Sequence, residues 1–156
     1  MVSCSEVVTP YEELILLDLW QLYMADLSEF RQSSVSVNGR YRDDRMRTYF
    51  AYEEHWAYQI RSGDELAGFA LIRKSEPGTY LLGEFFILSE FRKRGVGTAA
   101  VTQLLHKFHG NWQIPFQSNN PSAATFWRKT IASLGYSARE SAELDEVLVS
   151  FKNVGN

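Results

Sequence analysis

Arg92-Lys93-Arg94-Gly95-Val96-Gly97-Thr98 is the stretch on which the reading of this 156-residue chain turns. It follows the apolar run Tyr80–Leu88 and opens a segment in which Gly97, Val101, Leu104, Leu105 and Phe108 recur on one helical face. Cations beside a glycine turn at a helix start make an anion site. Glycines leave backbone N–H groups uncovered, and the helix dipole adds partial positive charge there. The surroundings agree, because residues 92–138 contain no Asp or Glu. Arg92, Lys93, Arg94, Lys107, Arg128, Lys129 and Arg139 fall in or at the end of that run, leaving 9 basic against 19 acidic residues elsewhere. A phosphorylated ligand is the expected occupant.

The spacing on either side predicts alternating strands and helices. A short strand over Cys4–Val8 precedes Thr9-Pro10-Tyr11-Glu12, which has the N-cap, first-turn proline and capping-box glutamate of a helix start. Leu16, Leu19, Trp20, Tyr23, Leu27 and Phe30 keep helical spacing after it, so this helix is expected to end near Phe30. Arg31–Arg40 reads as a loop and Tyr41–Glu54 as a second short helix. Trp56–Arg61 and Leu66–Arg73 flank Ser62-Gly63-Asp64-Glu65, a hairpin turn, and Glu76-Pro77-Gly78 leads into Tyr80–Leu88. Trp112–Gln117 reads as a strand, Pro121–Ser133 as a helix, and Ser137–Glu140 with Glu146–Lys152 as a last strand pair. The expectation is one α/β domain over residues 1–156, a mixed sheet with helices on both faces. Residues 80–117 supply a right-handed crossover between parallel strands.

A composition of 45% hydrophobic and 14% aromatic residues excludes a disordered chain. Net charge −3 and a pI near 5.6 argue against a general nucleic-acid binder, so the basic run reads as a local site. Cys4, the only cysteine, excludes an intrachain disulfide and fits a reducing compartment. Met1–Pro10 lacks the charge and apolar core of a signal peptide, and no stretch approaches the ~18 apolar residues of a membrane span. The expected protein is soluble and cytoplasmic, with no nucleic-acid or membrane partner, and a monomer or homodimer. His106 and His109 have no third ligand beside them, so no metal is expected.

Three phosphate loops compete for the glycine turn. Gly95, Gly97 and Ala100 formally satisfy the dinucleotide fingerprint, but Ser89–Arg94 separates the strand from the first glycine. The acidic ribose ligand that belongs about 20 residues on has no place in a segment free of Asp and Glu. A Walker loop fails because no Gly-Lys-Ser/Thr follows. Arg92-x-x-Gly95-x-Gly97 after an apolar strand resembles the pyrophosphate loop of the GNAT N-acetyltransferase superfamily. Asn120-x-x-Ala123-x-x-Phe126-Trp127 is similar to that family's later Asn-x-x-Ala-x-x-x-Tyr motif, in the right order and at the start of the right helix.

The resemblance implies a single-domain, mostly antiparallel mixed sheet of about six to seven strands flanked by about four helices. It also implies acetyl-CoA as cosubstrate. Gly95, Val96, Gly97 and Thr98 would face its pyrophosphate, with Arg92 and Arg94 at the rim. Its pantetheine arm would lie along the strand end Phe86, Ile87 and Leu88, and Asn120, Ala123 and Trp127 would form the opposite wall. The implied activity is acetyl transfer to a primary amine of a small molecule or peptide, directly within a ternary complex. The competing reading is a non-enzymatic module that binds or senses acyl-CoA.

Such a transfer needs a neutral amine, a stabilised oxyanion and usually a proton for the departing thiolate. Trp127 stands where many family members have a proton-donating tyrosine, and an indole is a poor acid; Tyr136 and Tyr80 are unranked substitutes. Glu84 is the carboxylate within the strand feeding the loop, between Leu82 and Phe86. It reads either as the general base or as a structural hydrogen-bond partner. Asp26, Glu29, Asp43, Asp44, Glu53 and Glu54 lie in the half where family members build the acceptor site, a distribution compatible with steering of a cationic amine or with a solvated face.

Overall fold

A computed structural model describes residues 1–154. The chain runs β1 (Val2–Glu6), α1 (Pro10–Leu27), α2 (Asp44–Ala51), β2 (His55–Ser62), β3 (Glu65–Glu76), β4 (Thr79–Ile87), a 3-10 turn at Ser89–Phe91, α3 (Val96–Lys107), β5 (Gly110–Gln117), α4 (Pro121–Ser133), β6 (Arg139–Glu143) and β7 (Glu146–Asn153). The seven strands form one sheet in the order β1-β2-β3-β4-β5-β7-β6. Only β4 and β5 pair in parallel, joined through α3 as the crossover requires.

Local chemistry sets the helix ends. The Thr9 hydroxyl accepts from the Glu12 N–H while Glu12 accepts from the Thr9 N–H, the reciprocal box expected from the sequence. Helix α1 stops at Leu27, short of Phe30, because Ser28 caps it and its N–H returns to Met24 O. Helix α2 is shorter than Tyr41–Glu54: Arg42 and Tyr41 are drawn out to give their carbonyls to Trp20 Nε1 and Gln21 Nε2, and Tyr52 is extended. At the other end of the chain, Gly135 takes φ +86 just after α4, a turn that favours glycine.

Helices cover both sheet faces. Val101, Leu104, Leu105, Trp127 and Ile131 from α3 and α4 pack on Trp112, Ile114, Phe116 and Phe151. Leu16, Trp20, Tyr23, Met24 and Met46 from α1 and α2 pack on Ala57, Phe69, Leu71 and Phe86. Each large side chain so buried contributes roughly 1.5–3 kcal/mol of transfer free energy.

Two irregularities shape the sheet centre. The parallel ladder holds only from Thr79–Leu81 against Asn111–Gln113, after which residues 82–87 and 114–117 diverge. Pro115 has no N–H to give a neighbour, yet its register with Leu148 of β7 continues. The second is a bulge in β4, where Leu71 faces Glu84 while the adjacent Ile72 faces Leu82. Gly83 is the extra residue, and a side chain there would collide with the Tyr49 hydroxyl from α2.

Candidate active site

The gap between β4 and β5 has one wall made of backbone. Leu88 N–H donates to Ala67 O, so antiparallel alternation turns Phe86 and Glu84 toward β3 and leaves Phe85 and Ile87 facing the gap. Arg92 confirms that direction, since its Nε donates to Ile87 O at 2.7 Å. At the end of this open edge stands the start of α3. Gly95 takes φ +77 as its N-cap and Lys93 φ +60 before it, a tight reversal that aims the first N–H groups of α3 outward.

The named cations are partly occupied. Arg92 Nη2 bonds Asp26 at 2.6 Å, tying the end of α1 to the loop, and Arg94 gives Nη1 to Glu90 O while its guanidinium lies over Phe91. Gly97 has a packing reason: a Cβ there would sit 2.8 Å from the Phe126 ring. Thr98 Oγ1 lies 3.2 Å from Thr130 Oγ1, and Val96 is buried beneath the loop. Across the gap, the Asn120 side chain caps α4 by accepting from Ala123 N–H at 3.1 Å. Trp127 is buried edge-on to Phe85 and Phe126.

The bulge decides where Glu84 points. Simple alternation would put Glu84 on the face of Leu82; the extra residue turns it to the α1–α2 face, which it shares with Phe86. Its side chain is 12% exposed. Tyr23 Oη donates to Glu84 Oε1 at 2.8 Å and Arg45 Nη2 donates to the same oxygen at 3.2 Å. No hydrogen bond among the described residues reaches Oε2. Burial first, then the charge of Glu84, holds the Tyr23 hydroxyl well above its ordinary pKa, so it remains a donor. Tyr49 is likewise raised, by burial and then by Glu84, with Arg73 pulling the other way.

Around Glu84 lies a cleft of about 430 Å³. It is lined by Leu81, Gly83 and Glu84 of β4, Arg45, Thr48 and Tyr49 of α2, His55 of β2, Arg73 of β3, Pro115 of β5, Glu146 of β7, and Arg31 from the segment after α1. Leu81 and Glu84 of β4 and Pro115 of β5 all line it, so the cleft borders the β4–β5 gap.

Several sequence-predicted residues come together at the gap: Glu84, Ile87, Gly95 and the α3 start, with Asn120, Ala123 and Trp127 across it. Phe86 and Leu88 do not present backbone to it. The Phe86 ring packs on Tyr23 and Phe69, and the Leu88 N–H is taken by Ala67, so Phe85 occupies the position the sequence reading gave to Phe86. Neither substitute tyrosine is in the cleft. Tyr136 donates to Asn153 Oδ1, and Tyr80 packs among Trp56, Phe108 and Trp112. Of the N-terminal carboxylates, Asp26 pairs with Arg92, Asp43 with Arg47, Asp44 with Arg42 and Glu54 with Lys74, and none of the six lines the cleft. Tyr49, Arg45, Arg73 and Arg31 were missed. Only the bulge glycine at 83 signalled, weakly, that another element approaches there.

Residues 16–131 match the family model described as the acetyltransferase (GNAT) family. An acetyltransferase from Thermus thermophilus is 15% identical and superimposes with a TM-score of 0.74 over 96% of both chains. The ribosomal-protein-S18-alanine N-acetyltransferase from Escherichia coli is 13% identical, with a TM-score of 0.63 over 100% of this chain and 96% of that one. YncA of Salmonella typhimurium, solved with its cofactor acetyl-CoA, is 10% identical, with a TM-score of 0.64 over 99% and 94%. At these identities the likeness is one of fold. No curated protein sequence matches.

Proposed function

The chain belongs to the GNAT acetyltransferase family, and from that premise we propose that it transfers an acetyl group from acetyl-CoA to the primary amine of a small molecule or peptide, directly and in a ternary complex. The observation that carries this reading is the meeting of three features at one gap: the α3 start, the open edge of β4 at Phe85 and Ile87, and the free Oε2 of Glu84.

The residues fit the cosubstrate part by part. N–H groups of Gly95, Val96, Gly97 and Thr98 suit a pyrophosphate. Phe85 and Ile87 offer strand-edge hydrogen bonds to an amide-bearing arm, and Trp127 with Phe85 supplies an apolar wall. Bound acetyl-CoA supplies an activated acyl carbon whose C–S bond breaks as the C–N bond forms. Glu84 Oε2 takes the proton from the ammonium, directly or through a water, freeing the lone pair that attacks. Tyr23 and Arg45 orient the carboxylate by holding its other oxygen. Tyr49, buried beside the bulge and held protonated, is the cleft hydroxyl with a proton to give the departing thiolate.

Incubation of the protein with acetyl-CoA and a panel of primary amines, followed by thiol release, tests this. Amine-dependent thiol with matching acetylated product is expected. Saturable CoA binding with no thiol released across the panel overturns the reading and favours a binding module.

A further inference from the structure

We propose that the amine acceptor also carries a carboxylate, and that Arg73 and Arg31 receive it while the amine faces Glu84. This rests on the acetyltransferase reading, because it identifies the cleft around Glu84 as the acceptor site.

The cationic lining runs against the charge of its surroundings. Residues outside the acid-free run carry 9 basic and 19 acidic groups, and four of the seven arginines there pair with a carboxylate. Arg40 pairs with Asp18, Arg42 with Asp44, Arg45 with Glu84 and Arg47 with Asp43, while Arg61 bonds Gln59 Oε1 and the Asp64 carbonyl. Before residue 92, two arginines have no carboxylate among the described residues and only neutral partners, Arg31 with Met24 Sδ at 3.7 Å and Arg73 with the Tyr49 hydroxyl, and both line the cleft. Both are only partly exposed. A guanidinium withdrawn from water and left without an anion is unfavourable, and a carboxylate arriving from solvent would satisfy it bidentately.

The rest of the lining gives the acceptor an orientation. Glu84 is screened by Arg45 on one oxygen only, so the cleft offers one anionic point, Oε2, for an ammonium. Arg73 lies on β3 opposite Leu81, back toward the closed end of the β4–β5 ladder, whereas Arg31 lies just beyond α1. The remaining acidic liner, Glu146, makes no ion pair with any of the three arginines. Two guanidiniums without a carboxylate and one open carboxylate oxygen in the same cleft match a zwitterionic acceptor better than a simple amine or polyamine, whose second positive charge would meet Arg31 and Arg73. An α-amino acid, or a compound with the same amine and carboxylate, is the class that fits.

The test sets α-amino acids against their carboxamides and their decarboxylated amines, with acetyl-CoA, in wild type, Arg73→Gln, Arg31→Gln and Arg73→Lys. Wild type is expected to favour the acid over its carboxamide by about 10- to 100-fold in kcat/KM. Arg73→Gln should collapse that ratio toward one, and Arg73→Lys should restore part of it. Arg31→Gln should act in the same direction. Thermal melts of each variant separate misfolding from lost recognition. Calorimetric binding of acid and carboxamide to the CoA-bound protein reads the same preference without turnover. Failure to acetylate any amine therefore counts against the acetyltransferase reading, and equal binding of acid and carboxamide counts against this one. The inference is also overturned if amines lacking a carboxylate are preferred, or if neither glutamine variant moves the ratio.

Discussion

The two sides of the β4–β5 gap are built from different materials. On the side proposed for the cofactor, the groups on offer are backbone: the open edge at Phe85 and Ile87, the left-handed Gly95 and the first N–H groups of α3, braced by Phe126 and Trp127. On the side proposed for the acceptor they are side chains gathered around Glu84 from the segment after α1 and from α2, β2, β3, β4, β5 and β7. Backbone geometry is fixed by the fold and suits a ligand that never varies. Side chains on packed helices change one at a time, so specificity can drift there while the cofactor wall stands.

Substitutions can break this division or sharpen it. Trp127→Ala should have the largest effect on the cofactor wall, removing a buried indole from Phe85 and Phe126 at a cost of about 3–5 kcal/mol, read by chemical denaturation. Stability within about 0.5 kcal/mol of wild type would mean that the wall is not packed as described. Gly97→Ala should cost about 1–3 kcal/mol, because its methyl meets the Phe126 ring, and should weaken CoA binding. Adding Phe126→Leu should recover much of that loss; strictly additive penalties would show that Gly97 is required by backbone exposure instead.

A smaller effect appears only in alkali, on the α3–α4 face. Burial pushes the Cys4 thiol from its ordinary 9.0 up to about 11, and Tyr58 from 10.0 up to about 12. Ionisation of the unfolded chain therefore begins first. The contribution of Cys4 is complete below pH 9 and is lost as pH rises toward 11. Melting temperature should hold to about pH 9 and then fall, and Cys4→Ala should move the onset up by about one pH unit, where Tyr58 takes over.

The loop, helix and cap proposed for the cofactor were legible in the sequence as local structure because their determinants lie close together. Gly95, the cations, the helical face after Gly97 and the Asn120 cap are set within a few residues of one another, and they fix the crossover and hence the single parallel pair. The acceptor side was illegible for a matching reason. The direction of Glu84 depends on a bulge at Gly83, where Tyr49 of α2 packs closely, a contact between distant segments that no periodicity reports. The same holds for Phe86 and Phe85, whose backbone directions are settled only once the ladder with β3 is phased by the Leu88 bond to Ala67. Counted as composition, the N-terminal carboxylates were compatible with steering of a cationic amine or with a solvated face. In the fold four of them are taken up by neighbouring arginines and lysine, and the cleft itself is lined by Arg31, Arg45 and Arg73.

Glu84→Gln separates the two sides most directly. The amide keeps an oxygen for the Tyr23 hydroxyl but cannot accept the amine's proton, and the hydrogen bonds of the Glu84 side chain go to Tyr23 and Arg45, not to the loop at the start of α3. Turnover with a saturating amine should fall by about 10²- to 10⁴-fold while the Kd for acetyl-CoA stays within about threefold of wild type. An undiminished turnover with unchanged pH dependence, or a loss of acetyl-CoA binding as large as the loss of rate, would contradict a gap with one wall for the cofactor and another for the acceptor.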